Sequence, residues 1–130
     1  MICMENYKKF KTFEDLDCWQ ACRKLRLFAT EACKQLPGAE QYRLNDQILR
    51  AARSTTANIA EGYGRFHYQE NMQFCRQSRG SAYELLDHFI TANDEDLFPD
   101  DVVMECRNLT EKSVILLNGY IRYLETRKKQ

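Results

Sequence analysis

Apolar side chains recur along this chain at alternating steps of four and three, the spacing that holds one face of an α-helix against its neighbours. In the first such run Cys18, Cys22, Leu25, Ala29, Ala32 and Leu36 form the stripe, widened by Trp19 and Phe28. It predicts a helix from near Asp15 to Leu36, stopped by Pro37-Gly38. A second helix is predicted from about Glu40 to Glu61 with Leu44, Ile48, Ala52, Thr55 and Ile59 inward, after which Gly62 and Gly64 loosen the backbone. A third starts near Tyr68 and carries Phe74, Ser78, Ala82, Leu85, Phe89 and Ala92, and residues 93–99 read as a polar loop. The fourth steps without a slip through Val103, Cys106, Thr110, Ser113, Leu117, Tyr120 and Leu124. Asp100 and Asp101 at its start and Arg127, Lys128 and Lys129 at its end suit the helix dipole.

Short connections between such helices force antiparallel neighbours, so the fold class expected is all-α, an antiparallel up-down-up-down four-helix bundle. A chain of 130 residues makes one domain, with a core from about residue 13 to 125 and flexible termini. Its 5 Gly and 2 Pro are too few for an all-β protein, which turns every ten residues or so. Many seam positions are Ala, Ser, Thr or Cys. They let helices approach closely but bury little apolar volume, a deficit that partner subunits would relieve.

A second regular row runs beside the apolar one on helix two: Gln47, Arg50, Ser54, Asn58, Glu61 and Arg65. Helix three matches it with Gln77, Ser81, Glu84 and His88. Polar groups bordering a core are costly unless paired, which points to a network between helices or across a subunit boundary. The plainer reading is a solvated flank. The formal net charge of zero hides a further asymmetry. In an up-down bundle Lys8, Lys9, Lys11, Arg65, Arg127, Lys128 and Lys129 collect at one pole, and Asp94, Glu95, Asp96, Asp100 and Asp101 at the other. Dipole compensation and solvated tails account for both clusters; contact with nucleic-acid phosphates is the sharper reading of the basic one.

Catalytic signatures are missing. Di-iron bundles need Glu-x-x-His pairs, and neither His67 nor His88 lies three residues after a Glu. Gly62-Tyr63-Gly64 lacks the further glycine of a dinucleotide loop, and no phosphate-loop Lys-Ser/Thr follows. The six cysteines are scattered through helical segments with no Cys-x-x-Cys, which reads as buried reduced thiols. A cytoplasmic protein is expected, since the first ten residues lack the apolar core of a secretory signal and no stretch approaches the ~20 apolar residues of a membrane span. No enzyme activity, cofactor or metal is expected.

The run from Gln47 through Arg50, Arg53, Ser54 and Asn58-Ile59-Ala60-Glu61-Gly62 to Gly64-Arg65 resembles the core signature of the bacterial four-helix bundle family named for 23S rRNA intervening sequences, also called ribosomal-protein-like. Phe13 to Leu16 with Trp19-Gln20-Ala21, Pro37 with Glu40 and Leu44, and Gly80-Ser81 with Glu84-Leu85 extend the likeness over about residues 13–125. The resemblance implies a bundle that assembles as a homopentamer and an association with RNA for which no activity is established. A related protein, the accessory variability determinant of diversity-generating retroelements, is a basic pentameric barrel that associates with a reverse transcriptase and nucleic acid. The neutral charge of the present chain departs from it. The resemblance also implies a structural or interface network of Gln47, Arg50, Arg53, Ser54, Asn58, Glu61, Arg65, Ser81 and Glu84, with Arg50 or Arg53 paired to Glu84 and Arg65 to a nearby carboxylate. The function expected is a non-enzymatic oligomeric scaffold for protein or RNA partners. The alternative is a protein that binds RNA or DNA through its basic pole.

Overall fold

A computed structural model of the chain describes residues 12–38 and 42–128. A 3-10 turn at Phe13–Asp15 leads into four helices: α1 Asp17–Cys33, α2 Tyr42–Gly64, α3 Tyr68–Asp94 and α4 Asp100–Lys128. Among the described residues there is no strand. Each helix packs chiefly on the next in the chain, and α1 closes the ring against α4. Bonds between α2 and α3 run in opposite senses: Ser54 meets Ser81, Thr55 meets Ser78, and Gly62 lies against Asn71 and Phe74. Numbers fall on one helix as they rise on the other, the mark of an antiparallel pair.

The first helix is shorter than its apolar stripe. Leu16 is extended (φ −71°, ψ 129°) and buried, so the chain enters α1 only at Asp17. At the far end Lys34, Gln35 and Leu36 donate to Glu31, Ala32 and Cys33, three residues back, tightening the last turn. Pro37 disfavours helical geometry at Leu36, which explains the early stop. On α2 the glycines do not break the helix, which continues to Gly64. On α3 the inward stripe enters through Asn71, Met72 and Cys75, with Phe74 only half-buried. The loop after α3 is not wholly polar: Phe98 is buried with its ring 4.9 Å from that of Phe89. Asn93 holds the loop closed through Nδ2, donating to Phe98 O at 2.9 Å and to Asp100 Oδ1 at 2.8 Å.

The interior divides in two. One apolar cluster gathers Leu25, Ile48, Leu85, Phe89 and Phe98. The other gathers Leu16, Ile59, Met72, Leu117 and Leu124 near the chain start and end. Between them lies a belt of small polar groups, Cys22, Thr55, Ser78, Thr110 and Ser113, all fully buried. Ser78 Oγ donates to Thr55 O at 2.7 Å, Thr55 Oγ1 to Ala52 O at 2.7 Å and Ser113 Oγ to Leu109 O at 2.9 Å. Backbone carbonyls therefore absorb hydroxyls that would otherwise be costly to bury.

The five described cysteines, at 18, 22, 33, 75 and 106, are free and buried. Burial pushes the thiols of Cys22 and Cys33 up to about 11 and those of Cys75 and Cys106 to about 12. Such thiols are poor nucleophiles at neutral pH. Cys3 lies outside the described residues, as do residues 1–11 and 129–130 of the flexible ends expected from the sequence, whereas residues 126–128 continue α4.

Candidate functional site

The polar flank of α2 and α3 is a network only at its centre. Ser54 Oγ and Ser81 Oγ are 2.8 Å apart across the helix boundary, and Asn58 Nδ2 donates to Ser54 Oγ at 2.8 Å and Ser54 O at 2.9 Å. These three side chains are half-buried. Toward the ends of the row the pairing is mostly within one helix, Arg65 alone reaching a carboxylate on the next. The expected pairing of Arg50 or Arg53 with Glu84 is absent: Arg50 Nε sits 2.9 Å from Asp46 Oδ2, and Glu84 Oε2 is 3.1 Å from His88 Nε2. Both partners are one turn away on the same helix, reachable without bending an exposed side chain across the boundary. Arg53 and Gln47 face solvent. Arg65 does find carboxylates, Glu61 Oε2 at 2.8 Å and Glu70 Oε2 at 3.5 Å, and its guanidinium lies 5.2 Å from the Phe74 ring centre.

Two cross-helix arginine bonds escaped the sequence reading. Arg26 Nη1 donates to Thr56 Oγ1 at 2.7 Å, tying α1 to α2. Arg79 Nη1 donates to Asn118 Oδ1 at 2.6 Å, tying α3 to α4. The signal available was weak: each arginine lies beside an inward position, Leu25 or Ser78, on the edge of its stripe.

The pole where α1 begins, α2 turns into α3 and α4 ends carries a cleft of about 280 Å³. Its walls are Tyr63, Phe66, His67 and Tyr68 from the turn, Asn71 from α3, Tyr120, Tyr123 and Leu124 from α4, and Leu16. Tyr120 and Tyr123 stack at 6.1 Å with their planes 15° apart. At the turn the Tyr63 and Phe66 rings lie 6.2 Å apart. Asn71 is buried at the back, donating from Nδ2 to Tyr120 Oη at 3.1 Å and accepting from Cys75 Sγ at 3.6 Å. Burial drives the Tyr120 hydroxyl far above its ordinary range, so it stays protonated.

Phe66 is the unusual member. It closes α2 in the left-handed region, with φ 53°, a position that favours glycine. The residue is 88% exposed, so packing within the chain offsets little of the conformational cost of roughly 1–2 kcal/mol. Of the basic residues expected here, Arg65, Arg127 and Lys128 are described, whereas Lys8, Lys9, Lys11 and Lys129 lie outside the described residues. Tyr68 beside Arg127 raises the pKa of that guanidinium further through a hydrogen bond. Among the described residues no group of three or more His, Cys, Asp or Glu is arranged to hold a metal ion, and no helix is long and apolar enough to cross a membrane.

The family model described as 23S rRNA-intervening sequence protein matches residues 14–119, most of the chain and all but the last part of α4. No curated protein matches it.

Proposed function

The chain belongs to the 23S rRNA-intervening sequence protein family, and from that premise we propose that it is a non-enzymatic, homo-oligomeric scaffold, a ring of five, that holds a protein or RNA partner in the cytoplasm. A ring needs two different contact patches on each subunit, because head-to-tail contacts close it. The observation that carries the reading is a pair of such patches. On α4, Met104 and Ile115 are 54% and 67% exposed and lie eleven residues apart, three helical turns, so they share one stripe. On α3, Tyr83 is 52% exposed next to Gly80, around which there is open space for a neighbouring helix. The half-buried Ser54, Asn58 and Ser81 supply hydrogen-bonding groups beside the second patch. Sedimentation velocity should give five times the chain mass, and a variant carrying Met104→Lys and Ile115→Lys should sediment as a smaller species with its helical spectrum intact. A monomeric wild-type protein would refute the ring.

A second reading is a nucleic-acid binder using the basic pole. Arg65, Arg127 and Lys128 at one end, beside exposed aromatic rings, support it. Phosphate contacts weaken steeply as salt rises, so retention of a structured RNA on filters should fall sharply between low and moderate salt. No retention at low salt would end this reading.

A further inference from the structure

We propose that the outer face of α1 docks an acidic amphipathic helix of a partner protein, one of whose apolar side chains enters a groove beside Trp19. This rests on the scaffold reading and names the chemistry of the protein that the scaffold holds. The groove has a volume of about 360 Å³ and is lined by Glu14, Trp19, Gln20, Arg23 and Lys24. That is room for a large side chain of a helix lying along α1, and not for the helix itself, which is about 10 Å across. Two contacts fix its wall. Gln20 Nε2 donates to Glu14 O at 3.0 Å, holding the 3-10 turn against α1, and the Phe13 ring meets the half-buried Trp19 edge-on at 5.3 Å.

The strip continues beyond the groove. Trp19, Arg23 and Leu27 follow one another at steps of four, so they stand in line on the helix surface. Leu27 is 45% exposed. At ~1.5 Å per residue it lies about 12 Å from Trp19 along the axis, roughly two turns, with Arg23 and Lys24 between them. Charge then selects the partner. Glu31 is engaged by Lys34 at 2.8 Å, whereas Arg23 and Lys24 are exposed and enter no salt bridge among the described residues. Two free cations between two apolar side chains complement a helix with apolar residues about two turns apart and carboxylates between them. The chain's own first eleven residues carry three lysines against one glutamate, the wrong sign to lie there. A nucleic acid carries a charge on every nucleotide and would bring phosphates against Glu14. A peptide sets its apolar residue in the groove and its carboxylates only opposite Arg23 and Lys24.

Trp19 is the single tryptophan of the chain, so its fluorescence reports on the groove directly. The full chain is titrated with a synthetic helical peptide bearing two leucines about two turns apart and glutamates between them. The comparison probes are the same peptide with lysines for the glutamates, and a single-stranded RNA of mixed sequence. The acidic peptide should shift Trp19 emission to the blue saturably, and less tightly as salt rises. The lysine peptide and the RNA should not. Arg23→Glu with Lys24→Glu touches no bonded partner and keeps the helical spectrum; it should weaken the acidic peptide about ten-fold or more and admit the lysine peptide instead. Leu27→Ala should weaken the acidic peptide without altering its salt dependence. No saturable response to the acidic peptide at millimolar concentration overturns the site, as does equal binding of both peptides. A response to RNA alone overturns it in favour of phosphate recognition. If a second copy's α4, with its exposed Glu105 and Glu111, fills the groove, Trp19 emission changes on dilution and the peptide fails to bind, which also overturns it. Sedimentation of the same samples separates the two readings: a five-subunit particle without a peptide response removes the site alone, and a monomer that binds the peptide removes the ring alone.

Discussion

Gly62→Ala and Gly64→Ala add the same methyl group to α2 two residues apart, and they should move stability in opposite directions. A Cβ at position 62 would stand 2.8 Å from Phe74 Cβ, 3.0 Å from Asn71 Oδ1 and 3.2 Å from Asn71 Cα. Non-bonded carbons are comfortable at ~3.5–4.0 Å. Two of these neighbours are a main-chain carbon and the first carbon of a side chain, which no rotamer change moves aside, so α2 must back away from α3. Overpacking of this kind costs about 1–3 kcal/mol, offset by the ~0.5–1 kcal/mol that alanine gains over glycine within a helix. A net loss of about 1–2 kcal/mol is expected. At Gly64 there is no atom within 4 Å of the added carbon and the backbone is helical, so the propensity gain of up to ~1 kcal/mol stands alone. Urea unfolding followed by circular dichroism, at one protein concentration so that assembly contributes equally, should give a lower midpoint for Gly62→Ala and a higher one for Gly64→Ala with unchanged slopes. A Gly62→Ala protein as stable as the wild type would refute the close approach of α2 to α3.

Tyr120→Phe removes the acceptor for Asn71 Nδ2, a donor on a residue only 7% exposed, so a loss of about 1–3 kcal/mol in urea is expected; an unchanged midpoint would mean that water reaches that amide. The thiols give a pH dependence of fixed sign. Cys22, Cys33, Cys75 and Cys106 are raised from 9.0 to about 11 or 12 in the folded chain. The unfolded chain therefore loses protons first: stability is full below pH ~9 and is progressively lost between there and pH ~12. Urea midpoints should fall from pH 8 to pH 10, and equal midpoints would show that these thiols are not buried. Ser78→Ala should cost ~1 kcal/mol through the lost bond to Thr55 O, and a gain in stability would mean that the belt is better replaced by apolar packing.

What was legible in the chain was whatever a period of three or four encodes. Every inward residue named for the fourth helix is buried, because nothing interrupts that stripe between Asp100 and Lys128. The stripe of the third helix drifts at its start, where Phe74 looks apolar but Asn71 and Cys75 take the inward slots. The close approach explains it: Phe74 meets Gly62 through its Cβ while its half-buried ring lies by the Arg65 guanidinium, whereas Asn71 turns its amide toward Tyr120. Periodicity gives the face of a helix and not its distance from the next one, so a glycine that permits contact and a glycine that merely ends a helix look alike in sequence.

The same limit explains the polar row. A step of three or four places Arg50, Ser54 and Asn58 on one strip, but pairing across helices also requires that the strip meet the boundary at short range. Only the small side chains satisfy that: Ser54, Asn58 and Ser81 are short enough to lie within the groove and close enough to bond there. Arg50 and Glu84 are long, exposed and served by partners one turn away, so their charges do not tie α2 to α3 within one chain. Arg26 and Arg79, standing beside inward positions, reach across to Thr56 and Asn118 instead. Register in this bundle is thus set by hydroxyls, amides and two guanidinium groups near the core, and the outer charges of Arg50 and Glu84 stay at the surface, paired within their own helices.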